Sequence, residues 1–204
     1  MIKLKNILLE GIRDPHIFKV VFMAGSPGAG KSTVADFIKG GTGLKTVNFD
    51  ELYTYFKDRD GDVDFDKTDT VLNKKMNLYI DGRLGLIVDK TGQDYNSIKT
   101  LKTTLESIGY DSAMVFVNIP LHISKERVIS RFKKTGRNVD PKYIEKSYKN
   151  LINNLGKYQS DFGKNMFIID NESKFDEKLV HKRLTKFLNE PVNHIAKQWI
   201  NNQK

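Results

Sequence analysis

The stretch Gly25-Ser26-Pro27-Gly28-Ala29-Gly30-Lys31-Ser32-Thr33 decides the fold. It fits the Walker A pattern G-x-x-x-x-G-K-[ST], and its flanks are the ones that pattern requires. Ile17, Val20, Val21, Phe22, Met23 and Ala24 come directly before it and read as a buried strand. Val34, Ala35, Phe37 and Ile38 follow at the spacing of a helix packed back on that strand. Gly25, Gly28 and Gly30 let the backbone curl until its N–H groups converge on a di- or triphosphate. The helix opening near Lys31 adds its positive end. In this geometry Lys31 reaches the β- and γ-phosphates and the Ser32 hydroxyl ligates Mg²⁺.

Working outward, apolar strands alternate with helical patterns. Residues 1–16 place Leu4, Ile7, Leu8 and Ile12 at roughly helical spacing, an arm leaning on the domain. Leu44 to Phe49 reads as a second strand that delivers Asp50 at its end. The acidic stretch 57–64 lacks the D-x-D-x-D-G spacing and closing Glu of a calcium loop, so it reads as a solvated loop. Val71, Leu72, Met76, Tyr79 and Ile80 predict a helix over 67–81 that stops at Gly82. Leu84 to Val88 predicts a third strand, ending in Asp89-Lys90-Thr91-Gly92. Ile98, Leu101, Leu105 and Ile108 share one helix face, and 113–119 is apolar almost throughout, as a strand buried on both faces must be.

A basic helix over 121–134 leads through Gly136-Arg137-Asn138 to a longer helix opening at Pro141. Met166 to Ile169 make a last strand, Leu179 to Leu188 a closing helix. Val192, Ile195, Ala196, Trp199 and Ile200 mark an amphipathic helix in the tail 192–204, which either covers the core or meets a partner. With no repeat or linker, residues 1–204 read as one α/β domain: a five-stranded parallel sheet covered by helices on both faces. Ligands in such sheets bind at the carboxyl ends of the strands, where Gly25 to Thr33, Asp50 and Asp89 to Gly92 all fall.

Composition narrows the class. The absence of cysteine excludes disulfides and thiolate metal sites. The N-terminal segment is too short and too charged in its apolar part for a signal peptide, and no run approaches a membrane span. The expectation is a soluble, cytoplasmic protein without membrane partners. A net charge of +9 fits either solubilising lysines around a polyphosphate site or a nucleic-acid partner.

Around the loop, three features carry chemistry. Asp50 has the type and position of a base that accepts a substrate hydroxyl's proton; the alternative is a cap for a helix beginning at Glu51. Asp89 stands where Mg²⁺ is held directly or through water; a bond to Ser32 or to a substrate, or a capping role, are its alternatives. Arg127 and Arg131 are four apart and share a helix face, with Arg137 across Gly136. Residues 121–150 hold nine Lys or Arg against three acids. Such arginine forks either stabilise a transferring phosphate or form a solvated basic face. Arg83 is a weaker candidate for gripping substrate phosphate. His16, His122, His181 and His194 show no metal-ligand spacing, and no nucleophilic triad is present.

On these residues the chain resembles the P-loop kinases of the zeta-toxin and polynucleotide-kinase type, including bacteriophage versions. The resemblance rests on residues 25–32, on Val47-Asn48-Phe49-Asp50, on Ile87-Val88-Asp89-Lys90-Thr91-Gly92 and on Glu126-Arg127, Arg131 and Gly136-Arg137. It spans roughly 17–170. It implies strand order 2-3-1-4-5, Asp50 as general base, and Arg131 and Arg137, on a lid spanning 121–140, as clamps on the transferring phosphate. It also implies ATP and Mg²⁺ as cofactors. Zeta toxins phosphorylate UDP-N-acetylglucosamine and polynucleotide kinases 5′-hydroxyl ends. Asp89-Lys90-Thr91 departs from the Glu-Gly-Thr-like turn usual in zeta toxins.

The leading expectation is an ATP·Mg²⁺-dependent kinase acting on a small-molecule hydroxyl, such as that of a nucleotide sugar. A nucleic-acid 5′ end ranks lower, because no aromatic platform interleaved with basic residues is legible. A third reading is a nucleotide-binding module whose partner docks on the helix bearing Trp199.

Overall fold

The computed structural model describes residues 14–61, 64–135 and 139–203. The proposed arm at 1–16 therefore falls almost wholly outside the described residues, as does the Gly136-Arg137-Asn138 break in the lid segment. The chain runs β1 (Lys19–Ala24), α1 (Lys31–Thr42), β2 (Lys45–Asn48), α2 (Phe49–Asp60) and α3 (Phe65–Asp81). It continues through β3 (Leu86–Asp89), α4 (Tyr95–Ser107), β4 (Asp111–Asn118), α5 (Leu121–Thr135) and α6 (Pro141–Phe162). A 3₁₀ turn (Gly163–Asn165), β5 (Met166–Asp170), α7 (Glu177–Leu188) and α8 (His194–Asn201) complete it.

The five strands form one parallel sheet in the order β2-β3-β1-β4-β5. Because β1 lies centrally, Lys19 to Ala24 are all buried, which is why this segment is apolar without alternation apart from its first residue. On one face, Val34, Ala35 and Ile38 of α1 and Val180, Leu184 and Phe187 of α7 pack over Val21, Met23 and Val115. On the other, Ile98 and Leu105 of α4 and Leu151 and Tyr158 of α6 cover Val20, Phe22 and Met114.

Helix α8 closes on its own domain. Ala196 is buried, and Trp199 meets Phe18 edge-on with ring centroids 5.5 Å apart. The face carrying Trp199 is thus turned inward rather than left open for a partner.

Two sequence readings need correction. The segment after β2 is helical through Asp60, where a loop is predicted over 57–64. Asn48 starts this helix by accepting the Asp50 N–H at 2.7 Å, and Gly61 ends it with a left-handed φ of 75°. The cap is therefore Asn48, not Asp50. Arg83 lies before β3, at the end of the sheet opposite the loop. Its Nη1 donates to Ile80 O at 2.6 Å and its guanidinium covers the Trp199 ring at 5.5 Å. It packs the tail helix and does not face the phosphate end.

Candidate active site

The loop from Gly25 to Gly30 leaves β1 and feeds α1. Gly28 and Gly30 hold φ of 79° and 86°, values that side-chain-bearing residues adopt only with strain, so the sequence must supply glycine there. Its outer wall is α5: the buried Ser124 donates its Oγ–H to Pro27 O at 2.6 Å. From the other side Asn171, just past β5, donates to Ala29 O at 2.8 Å. The loop is thus gripped by the segments that follow β4 and β5. Lys31 Nζ lies over it, donating to Gly25 O at 2.8 Å and Ser26 O at 3.3 Å.

A cleft of about 710 Å³ opens above the carboxyl ends of β1, β2 and β3. Pro27, Gly28, Gly30, Lys31, Ser32 and Thr33 line it, together with Asp50, Asp89, Arg127 and Arg131. Gly25, Ser26 and Ala29 lie beneath as buried support. Apart from Arg83, every site residue singled out from the sequence and described by the structure belongs to one loop or one cleft. Arg137 lies outside the described residues.

The parallel register explains how two carboxylates come together. Asn48 pairs with Asp89 across β2 and β3, so their side chains emerge at the same level. Asn48 Nδ2 donates to Asp89 Oδ2 at 2.9 Å, while its Oδ1 accepts from the Asp50 backbone. One buried amide therefore orients Asp89 and anchors the turn that carries Asp50. Sequence reasoning gave Asn48 no role. The signal was available, since Asn two residues before an Asp at a strand end is a helix-start pattern.

Burial pushes the Asp89 carboxyl above its ordinary value. The Lys31 ammonium opposes that shift, and the charges of Asp50, Glu51 and Asp36 add to it. Its Oδ1 is buried without a hydrogen-bond partner. An orphaned carboxylate oxygen beside the Ser32 helix start suits a hard cation or one of that cation's waters. Among the described residues, no group of three or more His, Asp or Glu is placed to hold a metal by itself. A cation here would draw its remaining ligands from phosphate and water, the usual habit of Mg²⁺.

Arg127 and Arg131 lie one turn apart on α5. Arg127 also reaches across the loop, donating from Nη2 to Glu172 O at 2.7 Å. This contact borders a second hollow of about 420 Å³ on the outer side of the loop, lined by Thr33, Phe37, Arg127, Asn171, Lys174 and Phe175 among others. Residues 171–175 were missed in the sequence because a polar stretch after a short strand carries no motif. Tyr143 of α6 joins the mouth of the larger cleft by accepting from Gln93 Nε2 at 3.0 Å.

Fold and site together define a P-loop kinase. The sequence profile of the zeta toxin family matches residues 13–180, and the chain belongs to that family. Among solved structures, a chain of the Pnkp1/Rnl/Hen1 RNA repair complex is 21% identical with a TM-score of 0.58. That match covers 71% of this chain and 47% of the other, so this chain spans less than half of the RNA repair protein's length. A gluconokinase from Sinorhizobium meliloti is 15% identical with a TM-score of 0.53, covering 84% of this chain and 92% of that one. Shikimate kinase from Acinetobacter baumannii, in complex with shikimate, is 16% identical with a TM-score of 0.51, covering 91% and 99%. At these identities the likeness is one of fold. The sequence matches no curated protein. Among the described residues no helix is long and apolar enough to cross a membrane.

Proposed function

We propose that the chain transfers the γ-phosphate of ATP to a hydroxyl of a small molecule, a nucleotide sugar by analogy with its family. One observation carries this reading: a loop lysine, two carboxylates and two arginines line a single cleft wide enough for both a triphosphate end and an acceptor. A site for hydrolysis alone has no need of that acceptor space beside Asp50.

In this reading the backbone N–H groups of residues 25–33 cradle the phosphates, and Lys31 leaves its loop carbonyls to reach the transferred group. Asp50, exposed at the start of α2, takes the acceptor's proton. Ser32 and Asp89 would hold Mg²⁺, which would supply positive charge against that of the phosphates. Arg131, with Arg137 from the lid segment, neutralises the rest, and Arg127 grips the nucleotide. Its planar guanidinium beside residues 171–175 gives the base a slot in the outer hollow. Residues 1–204 act as one domain.

A second reading makes the acceptor the 5′-hydroxyl end of a nucleic acid. It is favoured by the α2–α3 hairpin, where Arg59 covers the Tyr55 and Phe56 rings at 5.3 and 5.2 Å and Lys67 covers Phe56 at 5.2 Å. Aromatic and basic residues do interleave there, contrary to the sequence expectation.

The test is to incubate the protein with γ-labelled ATP, Mg²⁺ and a panel of nucleotide sugars, nucleosides, polyols and 5′-hydroxyl oligonucleotides, with Lys31→Ala as blank. Label is expected on one acceptor class in the wild type and none in the blank. If label appears only as free phosphate across the whole panel, the chain is no phosphotransferase.

A further inference from the structure

Helices α2 and α3 follow β2 and fold against each other beside the cleft, and three of their aromatic rings form a cluster. Phe49 and Phe65 stack with centroids 6.0 Å apart and planes 14° from parallel. Tyr53 closes the group at 5.5 Å from Phe65 and 6.4 Å from Phe49. Phe49 is the residue before Asp50 and lines the same cleft. The cluster thus begins inside the site and continues outward along the hairpin.

Packing alone does not account for it. Phe65 is 62% exposed although it is the first residue of α3, and a ring left so far in water gains little from burial. The backbone that carries it is nonetheless anchored: Asp64 caps α3 by accepting from Lys67 N at 3.0 Å. A rigid, exposed aromatic face next to the residue assigned as base is a surface for a flat ring. Lys67 and Arg59 on the same hairpin supply positive charge suited to phosphates attached to that ring.

We propose that Phe65, with Phe49 and Tyr53, is a stacking shelf for a nucleobase of the phosphoryl acceptor. The shelf selects acceptors that carry a planar base and disfavours ring-free polyols. It rests on the phosphotransferase reading for the word acceptor, but the stacking itself is open to direct measurement. A base is common to a nucleotide sugar and to a nucleic-acid end, so both are probed.

The experiment measures equilibrium binding to protein saturated with a non-hydrolysable ATP analogue, which removes the nucleotide site from competition. The probes are a uridine diphosphate sugar, a 5′-hydroxyl tetranucleotide and gluconate. One base-bearing probe is expected to bind, and gluconate is not. Phe65→Ala should weaken that probe roughly tenfold or more, and Phe65→Trp should keep it. Kd for the ATP analogue should stay unchanged in both. Phe65→Leu, which retains bulk without a π-face, guards against loss of fold and should weaken the probe as well. Which probe responds identifies the source of the base.

The proposal is overturned if neither base-bearing probe binds at millimolar concentration, or if Phe65→Ala and Phe65→Leu bind as the wild type does. It is equally overturned if those variants change only the sedimenting mass, which would make the shelf a protein contact. If the probe binds through Phe65 yet never accepts label from ATP, the shelf stands and the phosphotransferase reading falls.

Discussion

The two ends of the parallel sheet treat buried charge in opposite ways. At the amino ends of the strands, Lys19 is buried on β1 and donates to Asp111 at 2.8 Å, with the Phe187 ring 5.2 Å from its ammonium. Asn193 donates to the other oxygen of Asp111 at 3.1 Å, tying the start of α8 to the same pair. At the carboxyl ends, Asp89 keeps one partner, Asn48, and one orphaned oxygen, with Asp50 and Glu51 raising the cost of its charge. The first arrangement holds the fold together. The second leaves an electrostatic demand that a cation can meet, which is how a binding site differs from a structural joint.

The contrast breaks most visibly at Lys19. Lys19→Met keeps bulk in the sheet but removes the donor from Asp111. The expected loss is about 2–3 kcal/mol of stability in urea unfolding, less than for a fully buried pair because Asp111 keeps some water contact. Phosphotransfer per folded molecule should not change. A fall in kcat without loss of stability would show that the two ends are coupled.

Asn48→Ala acts at the other end and should cost about 1 kcal/mol through the lost helix cap. Unlike Lys19→Met, it should also reduce kcat, because Asp89 and the turn bearing Asp50 lose a common anchor. Steady-state kinetics beside thermal unfolding separate the two effects.

The smallest effect is expected from Asp89→Asn in the ligand-free protein. The folded-state pKa of Asp89 lies above the ordinary 3.8, so between the two values the folded state holds the extra proton. Stability is then fullest below the unfolded value and falls as pH rises through the folded one. Removing the carboxylate should flatten that slope and raise ligand-free stability at neutral pH, while Mg²⁺-dependent nucleotide binding weakens. Urea midpoints at several pH values with and without Mg²⁺·ATP analogue check both signs.

Much of the fold was legible in the sequence because burial on two faces leaves unbroken apolar runs. Residues 20–24, 86–88 and 113–117 could be little other than central strands, and the loop motif fixed where the site would form. The strand order was implied by family resemblance, since periodicity carries no record of which strands are neighbours. The residues that remained hidden are those whose roles depend on neighbours distant in sequence. Asn48 gains its place from Asp89, 41 positions away, and Asn171 from Ala29, 142 positions away. Phe49, Tyr53 and Phe65 were obscured because the acidic stretch 57–64 between them reads as a solvated loop, which hides the helix pair that brings them together. Arg83 misled for the converse reason: an arginine before a strand carries no sign of which end of the sheet it will occupy.

The central claim is that the carboxyl end of this sheet is built for transfer to an acceptor, with Asp50 taking the proton. The most direct measurement compares Asp50→Ala with wild type for label transfer from γ-labelled ATP to the acceptor that the panel identifies, at saturating ATP and Mg²⁺. A fall of roughly 10²- to 10⁴-fold in kcat with unchanged affinity for the ATP analogue is the predicted result. Transfer at the wild-type rate would contradict the account.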